Sequence, residues 1–423
     1  MWFGHLILAV VLAAPAAAQR PEASPWAGRV TIYEGGLVWN GGGFERRALA
    51  VSGDRIVGVT AENRAGADRV DVTGRYLVPA YGNAHCHVTN ADKKASDAFL
   101  REGVFYVWNP NSIVVPPEAK AYFGRPDTYD LKIAMGGVTE PGGHPEKLYV
   151  EYLTKYVYPG RDRAWFVGNA FHYGETRAEI DDALDKLREQ GADFVKAYLL
   201  YSEAWAERHR NPNFYGQTGL NPTNFPYLVE AAHRRGLRVA VHVETAYDAR
   251  VAARAGADML AHMPGYDDYR ADGSNRLTPA DARLIARSGM VVVPTAVVGA
   301  ESVRQAVASG KPDPNAGKLF ELQRHNLRVL KQAGARLLIG TDGFGDAVEE
   351  AKRWVELGAL TPKEVTRLVL STGAWLFPED KVGCLMVGCR ADFLALSADP
   401  TRDVDNLEAI TLRVKQGRVV TPN

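Results

Sequence analysis

The stretch YLVPAYGNAHCHV, residues 76–88, leads from an apolar, strand-like run into the pair His85 and His87. Side chains at positions i and i+2 of a β-strand lie on the same face, so both imidazoles would point the same way and bind one metal ion. A pair of this kind is more often an ordinary half-buried pair than a metal site. The stretch therefore opens a metal-site hypothesis that depends on ligands elsewhere in the chain.

After residue 76, apolar strand-like runs alternate with helical segments such as Ala246–Ala255 and Pro279–Ser288. The runs predicted as strands are Tyr76–Val88, Gly103–Trp108, Leu131–Met135, Asp193–Leu199, Arg238–Val243, Asp258–Ala261, Met290–Val293 and Arg336–Ile339, with Trp165–Val167 as an additional extended piece. Several helical segments end in a glycine, which adopts the left-handed conformation that closes a helix. Eight strands alternating with helices predict a (β/α)8 TIM-like barrel in the α/β class. An open doubly wound sheet is the alternative, but no Gly-rich dinucleotide loop favours it.

Both ends of the chain are rich in short strand-like runs instead. At the N-terminal end these runs are Val30–Tyr33, Leu37–Trp39, Ala48–Val51 and Ile56–Val59; after the last predicted helix they are Cys384–Val387, Asp392–Leu396 and Leu412–Gln416. The C-terminal tail is too short to form a core of its own. We therefore predict a barrel over residues 76–375, beside a small β-sandwich domain built from residues 19–75 and 376–423.

The first 18 residues resemble a secretory signal. The apolar run Leu6–Ala14 is too short to span a bilayer, and Ala16–Ala18 forms a small-residue cleavage pattern. The segment before the run lacks Lys and Arg, and a buried N-terminal helix is the alternative. We expect a secreted or periplasmic protein that is free of the membrane after cleavage. In such a compartment Cys384 and Cys389 would form a disulfide, or remain two unpaired thiols at a turn.

The charge balance argues against nucleic acid and membrane surfaces as partners. Fifty acidic residues match fifty basic ones, so no global field attracts a polyanion. A small molecule bound at a local site is the better expectation. Nothing in the composition decides whether the chain forms a homo-oligomer.

Further metal-ligand residues stand at the ends of the predicted strands, where barrel enzymes carry their chemistry. They are His242, His262 and Asp342, while the fourth predicted strand carries Lys196 within it. Each residue alone also has an explanation without a metal. The histidines could cap helices, Lys196 could extend its amine from the core to the barrel rim, and Asp342 could be the N-cap of the next helix. Together with His85 and His87 they favour a metal site.

These features resemble the amidohydrolase superfamily. The resemblance rests on the His-x-His of the first strand, the histidines ending strands five and six, the aspartate ending strand eight, and the tail Gly383–Leu394, which is similar to the family's returning hairpin G-x-L-x-x-G-x-x-A-D-[FL]-[LV]. The branch related to imidazolonepropionase and to secreted metallo-dipeptidases is the most similar. One departure is Asn83, which stands where many members carry a supporting aspartate.

The resemblance implies two divalent ions, with zinc favoured over manganese or iron. His85, His87 and Asp342 would hold the first ion, and His242 and His262 the second. The segment around Lys196 is similar to members in which this lysine is carboxylated and bridges the ions. A bridging hydroxide would attack the substrate carbonyl, with Asp342 as the proton shuttle.

Three residues are predicted to contact substrate. His144 lies in a Gly-Gly-His loop similar to that of the metallo-dipeptidase branch, where the histidine meets the substrate carbonyl, so it is also a catalytic candidate. Tyr201 would bind a carboxylate or carbonyl, and Glu244 an amine. Helix capping is the alternative for His144, and packing at the barrel rim is the alternative for Tyr201. The long aromatic loop Glu203–Thr223 is either a lid or an ordinary surface loop.

The sequence therefore predicts a secreted, metal-dependent amidohydrolase that cleaves an amide or peptide-like C–N bond. The expected substrate is a dipeptide or an N-acyl amino acid. The first alternative is an esterase or lactonase, because the same nucleophile attacks any activated carbonyl. The second is a metal-containing binding protein without turnover, which would have no need of the proton shuttle Asp342.

Overall fold

A computed structural model describes residues 29–60, 64–343 and 346–423. The signal segment predicted at residues 1–18 lies outside these ranges. Within them, no helix combines the length and the apolarity required to cross a membrane.

Parallel strands form the centre of the molecule, in an α/β arrangement. One sheet contains, in spatial order, Asp130–Ile133, Val104–Asn109 and Tyr81–Asn83. The other contains Phe171–Tyr173, Gly137–Thr139, Val195–Leu199, Val239–Val243, Met259–Leu260, Val291–Val292 and Arg336–Leu337. Backbone hydrogen bonds connect the two sheets at two places: Ala84 N–H donates to Ile339 O at 2.7 Å, and Asp193 N–H, just before the strand Val195–Leu199, donates to Ile133 O at 2.9 Å.

Helices connect these strands. They are Lys93–Arg101, Pro117–Lys120, Thr154–Tyr156, Arg163–Phe166, Arg177–Glu189, Trp205–Arg208, Phe225–Arg234, Ala246–Ala255, Pro279–Ser288, Ala296–Ala308, Ala316–Gln332, Ala347–Glu356 and Pro362–Leu376, with a π-helical segment Leu148–Leu153. Their ends carry the expected signals: Thr245 and Asp248 form a capping box at the start of Ala246–Ala255, and Gly256 ends that helix at φ 77°. Local sequence therefore defines most helix boundaries.

Two mixed sheets gather the chain ends. One contains Arg55–Val57, Leu49–Ser52, Val30–Glu34 and Asp68–Asp71; the other contains Arg418–Val419, Ile410–Lys415, Phe393–Leu396, Tyr76–Pro79, Leu37–Trp39 and Phe44–Arg46. The Tyr33 and Phe393 rings meet edge-on, with centroids 5.0 Å apart, and link the two sheets. The C-terminal tail thus shares its sheet with strands from the N-terminal part, as its length required.

A buried ionic cluster ties this tail to the parallel strands. Asp130 accepts from both Arg390 and Lys415, the latter at 2.5 Å, and Arg390 also pairs with Asp392 at 2.6 Å. Tyr106 O–H donates to Asp392 at 2.6 Å. Each charge in the cluster has an opposite partner, which offsets the cost of removing it from water.

Three strand predictions were wrong. Tyr76–Val88 is not one strand, because Tyr76–Pro79 pairs with Phe393–Leu396 in a chain-end sheet and the parallel strand is Tyr81–Asn83. The parallel part therefore begins near residue 81 rather than 76. Trp165–Val167 lies mainly in the helix Arg163–Phe166, which Asp162 caps, and Cys384–Val387 is an irregular turn within the Cys384–Cys389 disulfide.

Candidate metal centre

Three side chains converge at the end of the first parallel strand. His85 Nε2 and His87 Nε2 lie 3.0 Å apart, and Asp342 Oδ1 lies 3.1 Å from the first and 3.0 Å from the second. Both histidines follow the strand, which ends at Asn83, rather than lying on it. The predicted convergence of the two rings holds, although the strand geometry used to predict it does not extend that far.

Hydrogen bonds to backbone carbonyls fix which ring nitrogen points at Asp342. His85 Nδ1–H donates to Ala261 O at 2.7 Å, and His87 Nδ1–H donates to Asn111 O at 2.8 Å. A carbonyl oxygen accepts only, so each Nδ1 carries a hydrogen and each Nε2 keeps its lone pair in the neutral ring. Two nitrogen lone pairs and a carboxylate oxygen therefore face one another, an arrangement that a shared cation satisfies.

Two more histidines contact neighbouring side chains, each through a different ring nitrogen. His262 Nδ1–H donates to Thr295 Oγ1 at 2.9 Å, because the Thr295 hydroxyl gives its own hydrogen to Pro294 O. His242 Nε2 lies 3.0 Å from Glu244 Oε1. The His262 ring centroid is 4.7 Å from that of His242 and 4.5 Å from that of His85. This leaves Nε2 of His262 and Nδ1 of His242 without a hydrogen-bonding role in these pairs.

Lys196 lies in the middle of the buried strand Val195–Leu199 and is 2% exposed. Burial lowers its pKa to about 7, and the charge of Asp342 only partly opposes this shift. Near neutral pH a large fraction of the amine is therefore uncharged. An uncharged amine is nucleophilic, whereas an ammonium is not.

The remaining charges of the cluster follow from burial and proximity. Burial lowers the pKa of His85 to about 4 and holds the pKa values of His242 and His262 well below their usual range. Burial alone would raise the pKa of Asp342, but His85 and His87 outweigh it and hold that pKa well below normal. The cluster thus combines neutral imidazoles with an ionised carboxylate, the state in which both bind metal.

A cavity of 590 Å³ opens over these groups. Its lining includes His87, Lys196, His242, His262 and Asp342. His144 also lines it, with its ring stacked on His242 at a centroid distance of 4.7 Å. Burial, and then the charge of His242, hold the pKa of His144 well below normal. His144 therefore meets any ligand as a neutral ring.

Tyr201 and Glu244 lie outside the lining of this cavity. The Tyr201 hydroxyl accepts from Arg270, and its ring lies between the guanidinium groups of Arg208 at 3.7 Å and Arg270 at 4.4 Å. Burial raises the pKa of Glu244 to about 8, with Asp268 adding to the rise. A positive charge beside His242 would favour the ionised form of the Glu244 carboxyl. Their predicted contacts with substrate stay predictions.

Two residues support the candidate ligands. Thr295 was not identified from the sequence, and Asn83 was identified only as a departure from the family pattern. Thr295 orients His262 and adopts φ 49°, a left-handed conformation that is strained for a β-branched residue. Asn83 Nδ2 donates to Thr341 Oγ1 at 3.0 Å and joins the two ligand-bearing strand ends. Thr295 follows Pro294 directly after a buried strand, so its position at a strand end was the available signal.

A family model described as the amidohydrolase family matches residues 211–421, which include His242, His262 and Asp342. The chain belongs to the amidohydrolase superfamily. His85, His87 and Lys196 precede the matched region. His87 and Lys196 line the same cavity as His242, His262 and Asp342, and His85 contacts Asp342 at its edge. No functionally curated protein matches this amidohydrolase.

Solved structures share the fold of this amidohydrolase. A crystal structure of an amidohydrolase is 21% identical, with a TM-score of 0.72 over 93% of this chain and 99% of the other. A prolidase complexed with N-methylphosphonate-L-proline is 18% identical, with a TM-score of 0.70 over 93% and 100%. Ochratoxinase from A. niger is 21% identical, with a TM-score of 0.69 over 92% and 95%.

Membership of the amidohydrolase superfamily supports a hydrolase that acts on C–N bonds. Amidohydrolases are generally metal-dependent, and the group His85, His87 and Asp342 is a candidate for holding an ion. The oriented imidazoles, the ionised aspartate and the buried amine give this group the donor chemistry that a divalent ion requires.

Proposed function

We propose that the chain is an exported, metal-dependent hydrolase that cleaves the C–N bond of a dipeptide or N-acyl amino acid. The observation that carries the proposal is the convergence of His85 Nε2, His87 Nε2 and Asp342 Oδ1 within 3.1 Å while both Nδ1 hydrogens are given to carbonyls. Export rests on the signal-like residues 1–18. We further propose that the parallel strands close into a (β/α)8 barrel and that the chain-end sheets form a β-sandwich.

The proposed centre holds two divalent ions, zinc being the first candidate. His85, His87 and Asp342 would bind one ion, and His242 and His262, which line the same cavity, would bind the other. Lys196 would help to hold both ions once the nitrogen of its uncharged amine has added to the carbon of CO₂ and released one proton to solvent, which gives a carbamate anion. Carbamate formation replaces a buried cation with an anion, which removes repulsion between the lysine and the ions.

Bound divalent ions would polarise the scissile carbonyl and lower the pKa of water. Asp342 then has the proton-transfer role: Oδ1 lies against the two imidazoles, which leaves the other oxygen to receive a proton from the nucleophile and pass it to the leaving nitrogen. His144 would orient the carbonyl as a hydrogen-bond donor. Its burial and its stacking on His242 hold the ring in place.

A chelation assay tests the proposed function. Protein incubated with Zn²⁺ is expected to hydrolyse members of a panel of dipeptides and N-acyl amino acids, and chelator-treated protein is expected to lose this activity and regain it with metal. Matched esters and lactones are assayed beside the amides. Cleavage of esters alone would favour the esterase alternative. Metal binding without cleavage of any substrate would favour a binding protein.

Thr295→Val is expected to weaken metal binding about 10- to 100-fold. The substitution removes the hydroxyl that accepts the His262 Nδ1 hydrogen but keeps the side-chain volume and branching. The dissociation constant for Zn²⁺, measured by competition with a chromophoric chelator, gives the effect. Thr295→Ser keeps the hydroxyl and serves as the matched control. Equal affinities in the two variants would contradict an orienting role for Thr295.

A further inference from the structure

One wall of the cavity over the candidate metal ligands is apolar. It is formed by the segment Pro145–Tyr158, which contributes Leu148, Tyr149, Leu153 and Val157 among its lining residues. Leu148 is 42% exposed and Val157 is 53% exposed, although both are large hydrophobic residues. Their free surface faces a cavity whose floor carries Lys196, His242 and Asp342. A molecule with its scissile bond at that floor would cover this surface.

Aromatic packing supports part of the wall from behind. Behind it, Tyr149 packs against Phe166 at a ring-centroid distance of 5.4 Å and against Phe171 at 6.2 Å. Tyr158 meets Phe166 edge-on at 5.9 Å. These contacts belong to a separate buried cluster that also includes Leu153. A preformed apolar surface binds an apolar group without the cost of ordering the wall.

The residues that this segment contributes to the cavity lining carry no charge, since Glu146, Lys147, Glu151 and Lys155 of the same segment do not line the cavity. Among the residues that line the cavity, Lys196 and Asp342 carry the ionisable amine and carboxylate, and both belong to the candidate metal centre. The other lining residues are histidines, apolar residues or neutral polar groups such as Asn111 and Ser112. A charged substituent placed against Leu148 and Val157 would lose water without gaining a partner, which costs free energy.

We infer that the apolar wall formed by Leu148, Tyr149, Leu153 and Val157 selects the substrate. The selected substrates carry a bulky, uncharged apolar group, either aromatic or branched aliphatic, on one side of the scissile C–N bond. The inference rests on the proposed function and names its substrate class. The cavity volume of 590 Å³ lies within the range of about 300–1,000 Å³ that is typical of small-molecule sites. It accommodates such a group together with the amide.

Two matched substrate series test this inference. The first compares N-phenylacetylglycine with N-succinylglycine, and the second compares N-acetylphenylalanine with N-acetylaspartate. In at least one series, kcat/KM for the apolar member is expected to exceed that for the charged member by about 100-fold or more, because the charged group meets no partner. Equal values in both series, or a preference for the charged members, would overturn the inference.

Variants of the wall connect the preference to its residues. In the series that shows the preference, Val157→Lys is expected to lower the apolar-to-charged ratio of kcat/KM about 10-fold or more, because it supplies a cation. Leu148→Ala is expected to lower the same ratio by reducing the apolar contact. Tyr152→Ala is the control, since Tyr152 lies in the same segment, is 58% exposed and does not line the cavity. Its ratio should match that of the unaltered protein, and a fall equal to that of Val157→Lys would contradict the assignment.

Binding separates this inference from the proposed function. Chelator-treated, metal-free protein, which retains every ligand residue and does not turn over substrate, is titrated by calorimetry with N-phenylacetylphenylalanine and with N-succinylaspartate. Two results together would support the inferred selectivity of the wall: the apolar ligand binds more strongly than the charged one, and Val157→Lys weakens binding of the apolar ligand. They would support it even if the unaltered protein cleaved no amide. Cleavage without any apolar preference in binding or turnover would leave the hydrolase proposal in place and overturn the wall.

Discussion

Asp342→Asn is expected to lower kcat/KM for amide hydrolysis about 10³-fold or more while the protein stays folded. The substitution removes the negative charge between the two Nε2 atoms and the group proposed to carry the proton. Asparagine has nearly the same shape, and it tolerates the φ of 57° that Asp342 adopts. The Asp342 N–H that donates to His85 O at 2.8 Å is also retained. Kinetics, thermal unfolding and metal content, measured on the same preparation, separate a lost proton-transfer group from lost structure and from lost metal.

Asp346→Asn provides the matched control. Asp346 lies four residues further along and caps the helix Ala347–Glu356 by accepting from Glu349 N–H at 2.8 Å. It does not line the cavity over the ligands. Asparagine caps helices as well as aspartate does, so activity and stability should both stay close to those of the unaltered protein. Amide hydrolysis unchanged by Asp342→Asn would eliminate the proposed proton-transfer role.

Lys196→Ala is expected to lower kcat/KM by about 10³-fold or more, because the bridging carbamate would be lost with the amine. Millimolar propionate should restore part of this activity, since its carboxylate fits the space vacated by the side chain and replaces the bridge. Lys196→Met is the companion variant: its side chain fills the buried space, so activity should be lost without rescue. Lys196 is 2% exposed, which makes this difference in free volume large.

Full activity in Lys196→Met would contradict a bridging role. The same variant also tests the alternative that Lys196 only packs its alkyl chain and extends its amine to the rim. Methionine would replace such a lysine without loss of activity. The proposed centre predicts that Lys196→Met loses hydrolysis while its stability equals or exceeds that of the unaltered protein.

Local signals in the sequence allowed most helices to be predicted. Ala246–Ala255 and Pro279–Ser288 were predicted with the boundaries that the structure shows, because capping residues begin them and glycines end them. The strands were harder to predict. Tyr76–Pro79 and Tyr81–Asn83 are both apolar and adjacent in the chain, yet they belong to different sheets. Local propensity does not encode which partner a strand pairs with.

The strands Gly137–Thr139 and Phe171–Tyr173 were missed for a related reason. Each is only three residues long, and Gly137 has little strand propensity by itself. Tertiary contact holds it extended: a Cβ at Gly137 would lie 2.5 Å from the Tyr198 ring, so the close approach excludes larger residues. Local sequence predicts a turn at this glycine, because Tyr198, the neighbour that requires a glycine here, is about 60 residues away.

The candidate ligands were more predictable than their supports. Histidines and an aspartate at strand ends stand out by residue type, and the structure brings all six proposed ligands to one cavity or its edge. The groups that orient them are mostly invisible in sequence, since Ala261 and Asn111 act through backbone carbonyls. Any residue offers that carbonyl, so only the folded backbone reveals the contact.

Elemental analysis of the purified protein tests the central claim most directly. The proposed centre predicts close to two divalent ions per chain in the unaltered protein and a clear loss in Lys196→Met, in which His85, His87 and Asp342 remain to hold one ion. A content near one ion per chain in fully active protein, unchanged by Lys196→Met, would contradict a binuclear centre bridged by Lys196.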